Sequence, residues 1–276
     1  MTLPSTAFRF GLPPSLPVAP VPGAAGRLTR VLSGIVARPV RLVNFVSYEG
    51  LTEGLRRGDV DAAWAPPMVA ARAEALGARV LVRPLRRGSV RSRSALLVRS
   101  DSPLQLETLG GTTAAWVDRT SLAGHLLPMA WLRERGLDPG RLFAQQLFLG
   151  SYQAALDALL SGEADVAALF APPEGQEVRL AVEEVAPGRA EELRVLACTM
   201  PALHDAWVAA PHVAVTDALR LERGLLTMRE LPEGTGLLRD VLRAERLERS
   251  PELGHRELFG RNLSDVTVPS RVEASA

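Results

Sequence analysis

Apolar and polar positions along the chain alternate between two spacings. Short runs of consecutive apolar residues, typical of buried strands, are separated by stretches in which apolar residues recur every three or four positions, as in amphipathic helices. Strands are predicted at residues 8–12, 40–46, 79–84, 112–117 and within 142–149. Helices are predicted at residues 24–37, 68–76, 105–109, 121–135 and through most of 217–259. This alternation is typical of an α/β fold with parallel sheets.

One pattern occurs twice, 104 residues apart. Residues 47–67 read SYEGLTEGLRRGDVDAAWAPP, and residues 151–173 read SYQAALDALLSGEADVAALFAPP. Six of the first seventeen aligned positions are identical. A single long offset indicates one structural unit used twice, because solenoids need three or more short repeats. Two similar units predict two lobes, and a cleft between lobes is a frequent place for a small-molecule site.

Each copy of the pattern predicts a capped helix, a tight turn and a buried strand. Ser47 can begin the first helix, because its hydroxyl oxygen can accept a hydrogen bond from a free amide of the first turn. Gly58 can end that helix, since a left-handed backbone costs glycine nothing. Asp61 lies in the turn before the strand, where we expect a structural role. The equivalent residues of the second copy are Ser151, Gly162 and Asp165.

Composition limits the size and the charge of possible sites. The 276 residues, 47% of them hydrophobic, are enough for two lobes with substantial cores. The 32 basic and 31 acidic residues nearly cancel, which argues against a nucleic-acid-binding protein. The one arginine-rich stretch, residues 83–99, is interpreted as a solvated edge. The single cysteine, Cys198, excludes an intramolecular disulfide and is interpreted as a structural thiol in a buried strand.

The sequence also gives an expectation about the compartment. It contains no run of 18 apolar residues, so no membrane-spanning or membrane-inserted segment is predicted. Residues 1–6 have no basic region, and a strand is predicted directly after them. We therefore expect a cytoplasmic protein as the sequence is written, and a periplasmic one if the true start lies upstream.

Several motifs, in their order and spacing, resemble the phosphate, phosphite and phosphonate substrate-binding proteins of ABC importers. The resemblance extends from about residue 8 to about residue 260, and its motifs are Ser47-Tyr48, Gly58 to Pro67, Arg93 to Ser102, Leu109-Gly110-Gly111, Val117 to Pro128 and Gly150-Ser151-Tyr152. The resemblance implies a two-lobed type II periplasmic-binding-protein fold, in which each lobe is a mostly parallel sheet flanked by helices. It implies two crossover strands between the lobes, near residues 94–99 and 194–200, about which the lobes would close. The corresponding division is a first lobe in residues 1–95, a second lobe in 96–198, and a return to the first lobe with C-terminal helices in 199–276.

The cleft implied by this resemblance would be lined from both lobes. Amides at the helix start after Asp118, with the hydroxyls of Thr120 and Ser121, could hold an anionic oxygen; alternatively, Asp118 or Thr120 only caps the helix. Tyr48 and Tyr152, the two tyrosines of the chain, occupy equivalent positions in the repeat and are predicted to line the cleft. The other candidate ligand-binding residues are Trp64, for which core packing is equally expected, and Ser47, Ser92 and Ser151.

The chain departs from the family pattern at the predicted anion site. Where the family has a Ser-Thr-Ser-Gly type segment, this chain has Ser121-Leu122-Ala123-Gly124. Two hydroxyl donors are therefore missing, although Thr120 can replace one of them. With fewer donors, a carboxylate, a larger phospho-compound or a partly apolar metabolite becomes an alternative to phosphate or phosphonate.

The leading hypothesis is a non-catalytic, monomeric protein that binds a small anionic solute by cleft closure, with no cofactor or metal. Its expected partner is an ABC permease or a regulatory protein. One alternative is a cytosolic enzyme on the same fold, such as the lyases that act on chorismate-derived substrates in menaquinone synthesis. Another is a sensor or scaffold module. The sequence has no GxSxG elbow, P-loop or HExxH motif, and His125, which follows the predicted anion segment, is interpreted as a packing residue.

Overall fold

A computed structural model describes residues 7–16, 21–172 and 177–250. Its strands are β1 (Phe8–Leu12), β2 (Val40–Asn44), β3 (Ala62–Ala65), β4 (Arg79–Leu85), β5 (Arg91–Arg99), β6 (Thr113–Trp116), β7 (Gln145–Phe148), β8 (Val166–Ala171), β9 (Leu193–Cys198), β10 (Ala202–Leu203), β11 (Ala206–Ala209) and β12 (Arg246–Arg249). Its α-helices are α1 (Ala24–Val36), α2 (Tyr48–Arg57), α3 (Pro67–Ala75), α4 (Leu127–Glu134), α5 (Pro139–Leu142), α6 (Tyr152–Ser161), α7 (Arg179–Val185), α8 (Val215–Leu226) and α9 (Gly234–Leu237). Short 3₁₀ segments lie at Leu106–Thr108, Ala190–Glu192 and Met228–Glu230, and π-helical turns at Leu122–Leu126 and Leu238–Leu242.

The strands form two sheets, one for each predicted lobe. The first has the order β12-β4-β11-β3-β1-β2, and the second has the order β10-β5-β8-β6-β7, with β9 also paired to β5. Strands β1, β2 and β3 are parallel, as are β6, β7 and β8, whereas the other pairings are antiparallel. The predicted two-lobed α/β architecture is confirmed. Parallel pairing is limited to three strands in each sheet, because strands next to the two crossings run in the opposite direction.

The chain crosses between the sheets twice. It leaves the first sheet between β4 and β5, and it returns between β10 and β11. Arg93 to Leu97 of β5 pair with β8, and Leu193 to Cys198 of β9 pair with β5, so the segments predicted to cross lie inside the second sheet. The crossings themselves are the short connections on either side of those strands. The lobe boundaries drawn at residues 95 and 198 stay a prediction.

Each sheet is covered by its own apolar core. In the first, Trp64 of β3 and Trp207 of β11 lie opposite each other with ring centroids 5.6 Å apart, and both are buried. The second sheet carries one cluster against α6 and α7 and another against α4. A smaller cluster joins α3 to the helical turn at Leu122–Leu126, so the two lobes also meet through apolar side chains.

Both copies of the repeat fold as predicted. The Ser47 Oγ accepts a hydrogen bond from the amide of Gly50 at 3.0 Å, and α2 ends at Gly58, whose φ of 76° is left-handed. In the second copy, Ser151 accepts from the amide of Ala154 at 3.1 Å and α6 ends at Gly162, whose φ is 82°.

Two predicted helices differ from the structure. Residues 246–249, expected within a helix, form β12 and pair antiparallel with β4 at the edge of the first sheet; residues after 250 lie outside the described residues. The helix predicted at 121–135 begins as the π-helical turn Leu122–Leu126 and becomes regular only in α4. Pro128 has no amide hydrogen to donate to the carbonyl of Gly124, and that carbonyl accepts a bond from the amide of Val117 instead.

Candidate functional site

The hydroxyls of Tyr48 and Tyr152, the first residues of the two repeat helices, lie within electrostatic range of each other across the lobes. Each tyrosine follows the carboxyl end of a parallel strand, β2 or β7. Tyr48 is 3% exposed, whereas Tyr152 is half-buried and packs edge-on against Phe170, with ring centroids 5.2 Å apart. Burial raises the pKa of both hydroxyls, and for Tyr48 the nearby Tyr152 adds to the effect. Both hydroxyls are therefore neutral hydrogen-bonding groups at neutral pH.

Other polar side chains surround the two tyrosine hydroxyls. The Ser15 side chain interacts with the hydroxyl of Tyr48, and that of Ser121 interacts with the hydroxyl of Tyr152. The charge of Asp205 raises the pKa of both tyrosines, and that of Asp118 also raises the pKa of Tyr48. We call these two tyrosines and their polar neighbours Ser15, Asp118, Ser121 and Asp205 the tyrosine cluster.

Asp118, Thr120 and Ser121 form a tight hydrogen-bonded turn at the start of the π-helical segment. The Asp118 Oδ1 accepts from the Thr120 amide at 2.7 Å and from the Thr120 hydroxyl at 2.8 Å. The Ser121 Oγ accepts from the amide of Gly124 at 3.2 Å. These bonds correspond to the capping alternative for Asp118 and Thr120. A role for this segment in holding an anion stays a prediction.

Gly124 allows this turn to lie against the end of β6. A Cβ atom at this position would be 2.6 Å from the Val117 Cγ2, a distance that side chains do not tolerate. From β5, the hydroxyl of Ser94 donates to the carbonyl of Ala123 at 2.5 Å. The turn that carries Ser121 is therefore fixed by both neighbouring strands.

Two charged residues that the sequence did not single out, Arg86 and Asp205, complete the site. Arg86 follows β4 at the first crossing, and Asp205 precedes β11 at the second. The indole Nε1 of Trp64 donates to the Asp205 Oδ2 at 3.2 Å, and the Arg86 Nη2 lies 3.6 Å from the same oxygen. Burial raises the pKa of the Asp205 carboxyl, while the Arg86 charge opposes this shift. The available signals were that Arg86 belongs to the arginine-rich stretch and that Asp205 follows the second predicted crossing by a few residues.

The arginine-rich stretch is not a solvated edge, and that prediction is wrong. Arg83 is fully buried and donates from Nε and Nη2 to the Ser250 hydroxyl at 3.0 and 2.9 Å. Arg87 pairs with Glu184 of the second lobe. Arg83 lies in β4, which pairs with β11 on one side and with β12 on the other, and this interior position in the first sheet explains its burial.

The remaining predicted site residues are placed as follows. The hydroxyls of Ser47 and Ser151 cap their helices. Ser92 is half-buried in β5 opposite Ala202, and no described contact links it to the tyrosine cluster. Trp64 is buried in the first-lobe core; its indole nitrogen donates to Asp205, and the Arg86 guanidinium lies over its ring. Tyr48, Tyr152, Asp118 and Ser121 are the candidates that the structure brings together, and ligand contact by any candidate stays a prediction.

His125 is a packing residue, as expected from the sequence. It is 7% exposed, its Nδ1 lies 2.8 Å from the carbonyl oxygen of Arg119, and its ring packs edge-on against Trp116 and Phe148. Burial lowers the pKa of His125 to about 4. Cys198 is half-buried in β9, and burial raises the pKa of its thiol, which is unsuited to a nucleophile.

Residues 7–16, 21–172 and 177–250 contain neither a metal-binding cluster nor a membrane-spanning helix. In these ranges no group of three histidine, cysteine or carboxylate side chains is arranged to hold a metal ion. None of the helices in the same ranges combines the length and apolar character needed to cross a membrane.

The chain matches a model of one protein family over most of its length. The family model described as "ABC transporter, phosphonate, periplasmic substrate-binding protein" matches residues 10–250. Comparison with curated proteins finds no match.

Solved structures with similar folds include three from bacterial sources. PhnD1 from Prochlorococcus marinus, in complex with methylphosphonate, has a TM-score of 0.80 at 19% identity, over 94% of this chain and 99% of that one. A binding component of an ABC phosphonate transporter from Pseudomonas aeruginosa has a TM-score of 0.77 at 20% identity, over 94% and 85%. A Xanthomonas citri protein bound to ATP has a TM-score of 0.72 at 22% identity, over 95% and 96%. These similarities confirm the predicted type II periplasmic-binding-protein fold.

Proposed function

Since this chain belongs to the family of periplasmic substrate-binding proteins of phosphonate ABC transporters, we propose that it binds a small anionic solute between Tyr48 and Tyr152. The observation that carries the proposal is the electrostatic proximity of these two tyrosine hydroxyls, which belong to the first residues of equivalent helices in different lobes. A ligand that accepts hydrogen bonds from both hydroxyls would stabilise the closed arrangement of the lobes. We further propose that the protein acts as a periplasmic monomer that delivers this solute to an ABC permease.

The chemistry of the two tyrosines suits an oxyanion. Because their hydroxyls are neutral at neutral pH, they can donate hydrogen bonds to phosphonate oxygens without adding negative charge. Hydrogen bonds to a charged group are the stronger kind. A methyl or other small apolar substituent on phosphorus could contact the ring of Phe170, which packs on Tyr152. A methylphosphonate-sized ligand is therefore the first one to test, and the structure described with that ligand supports this choice.

The first experiment is a thermal-unfolding screen of the full chain with methylphosphonate, phosphite, phosphate and acetate, followed by calorimetric titration of each ligand that stabilises it. A ligand at one hundred times its Kd should stabilise the fold by roughly 3 kcal/mol. For a protein of this size, that corresponds to a rise in Tm of roughly 5–10 °C.

Matched variants make this experiment specific for the tyrosines. Tyr48→Phe and Tyr152→Phe each remove one hydroxyl and should each weaken binding about tenfold. Ser161→Ala, at the far exposed end of α6, should bind as the wild type does. Absence of stabilisation by any of the four anions would contradict the proposal, as would unchanged affinity in both phenylalanine variants.

A further inference from the structure

Arg86 is held rigidly at the first crossing by groups of the first lobe. Its Nε and Nη2 donate to the carbonyl oxygen of Leu242 at 3.2 and 3.0 Å. Its guanidinium carbon lies 5.7 Å from the centroid of the Trp64 ring. Because a planar guanidinium fixed on one edge keeps its other donors in a set direction, Arg86 is preorganised to recognise an anion. The Nη1 group has no hydrogen-bond partner among the described residues.

The counter-ion of Arg86 is close but not tightly bound. The Arg86 Nη2 lies 3.6 Å from the Asp205 Oδ2, which is longer than a hydrogen bond. That carboxylate oxygen instead accepts the indole N–H of Trp64 at 3.2 Å. Both charged side chains are about one quarter exposed, at 25% and 28%, so an added solute can approach them.

This ion pair lies within electrostatic range of the two tyrosine hydroxyls. The charge of Asp205 acts on the hydroxyls of both Tyr48 and Tyr152, and the charge of Arg86 acts on that of Tyr152. An anion held between the two tyrosines would therefore lie within range of both charges. It would attract Arg86 and repel Asp205.

Two hydroxyls near the site already have partners within the protein. The Thr120 hydroxyl donates to Asp118, and the Ser121 side chain hydrogen-bonds the hydroxyl of Tyr152. The two following positions, Leu122 and Ala123, have no polar side-chain atoms. A phosphonate or similar oxyanion would thus find few hydroxyl donors on the second lobe.

We propose that Arg86 supplies the positive charge for the anionic head group of the solute, and that Asp205 is an internal counter-ion whose place at Arg86 the solute takes. This assignment rests on the proposed function, because it requires the ligand to lie at the tyrosine cluster. It makes Arg86 a specificity-determining residue for small oxyanions. It also makes Asp205 a residue that limits the affinity for them.

The test is calorimetric titration of the full chain with methylphosphonate and with inorganic phosphate. Arg86→Gln should weaken binding of the tighter probe about 10- to 100-fold, because it removes a hydrogen bond to a charged group. Asp205→Asn should tighten binding several-fold, since it removes the repelling charge and keeps an oxygen for Trp64. Arg79→Gln is the matched control. Arg79 lies at the opposite end of β4 from Arg86 and donates to the carbonyl of Val213, so the Arg79→Gln protein should bind the anions as the wild type does.

Circular dichroism and thermal unfolding show whether each variant is folded. If Arg86→Gln does not fold, Arg86→Lys keeps the charge without the guanidinium fork and should bind more weakly than wild type but with measurable affinity. Wild-type affinity in Arg86→Gln would overturn the proposal, and so would a loss of affinity in Asp205→Asn. Failure of the proposed function gives a different result, since the wild type itself would then bind none of the anions.

Discussion

The two copies of the repeated unit share their backbone devices but differ in what surrounds them. Asp61 accepts from the amide of Arg9 at 2.7 Å, and Asp165 accepts from the amide of Thr113 at 2.9 Å. In both copies the aspartate amide returns a bond of 2.8 Å to the carbonyl of the same partner. The identical aspartates therefore join the new strand to the start of its parallel neighbour, which is a structural requirement of each lobe.

The two aspartates differ in their side-chain partners, because Asp61 also binds the side chains of Arg9 and His212. Asp61 accepts from the Arg9 guanidinium at 2.7 Å, and its Oδ1 lies 2.9 Å from the His212 Nε2. Burial works against the ionised carboxylate of Asp61, but the hydrogen bonds from Arg9 outweigh it and lower its pKa. Asp165 has only its backbone partner among the described hydrogen bonds. Sequence identity thus marks the shared scaffold, while the additional side-chain partners of Asp61 come from outside the repeat.

The largest expected effect concerns His125, which lies outside both copies of the repeat, in the turn Leu122–Leu126 that packs on the second sheet. Burial lowers the pKa of His125 from 6.5 to about 4, so the unfolded chain binds a proton more readily than the folded one. The stability from neutral His125 is complete above about pH 6.5 and is lost as pH falls towards 4, by on the order of 3 kcal/mol. His204, whose pKa burial also lowers, acts in the same direction.

This pH dependence is measured by urea unfolding at several pH values between 4 and 7. His125→Gln should reduce the slope of stability against pH, because one titrating group has been removed. A slope equal to that of the wild type would mean that His125 does not titrate between the folded and unfolded states as described.

The next largest effect is an unequal loss of stability when Asp61 and Asp165 are each replaced by alanine. Asp61→Ala removes partners from the amide and guanidinium of Arg9 and should cost about 3 kcal/mol. Asp165→Ala removes the partner of the Thr113 amide and should cost about 1 kcal/mol. Urea unfolding at pH 7 measures both values. Equal losses would show that the Arg9 guanidinium adds nothing to the first copy.

The glycines that end the two helices predict a smaller difference. Alanine in a left-handed conformation costs about 1 kcal/mol, which is the expectation for Gly162→Ala. At Gly58 an added Cβ atom would lie 3.2 Å from the His212 Nδ1, so Gly58→Ala should cost about 2 kcal/mol. Repeating Gly58→Ala in a His212→Ala background should return its cost to that of Gly162→Ala. If the cost stays higher there, the contact with His212 is not its cause.

The helix caps should show no difference at all. Ser47→Ala and Ser151→Ala each remove one acceptor from a first-turn amide, at 3.0 and 3.1 Å, and each should cost about 1 kcal/mol. Thermal or urea unfolding of the two variants provides the comparison. A clear inequality would show that one serine has a role beyond its cap.

The repeat could be predicted from the sequence because its signals are local. Ser47, Gly58 and their counterparts act within one helix of their own chain segment, and the alternation of helix and strand follows from nearby residues. The burial of Arg83 could not be predicted, because it depends on Ser250, far along the chain. The pair of Arg86 and Asp205 was missed for the same reason, since the two residues meet only where the chain crosses between lobes.

The most direct test of the central claim is a double-mutant cycle on Tyr48 and Tyr152, with methylphosphonate affinity as the readout. If one ligand lies between the two tyrosines, Tyr48→Ala and Tyr152→Ala each weaken binding, and the double variant loses less than the sum of the two free energies. Such non-additivity is expected because either substitution alone already disturbs closure around the ligand. Strict additivity, or a variant with wild-type affinity, would contradict a shared site between the lobes.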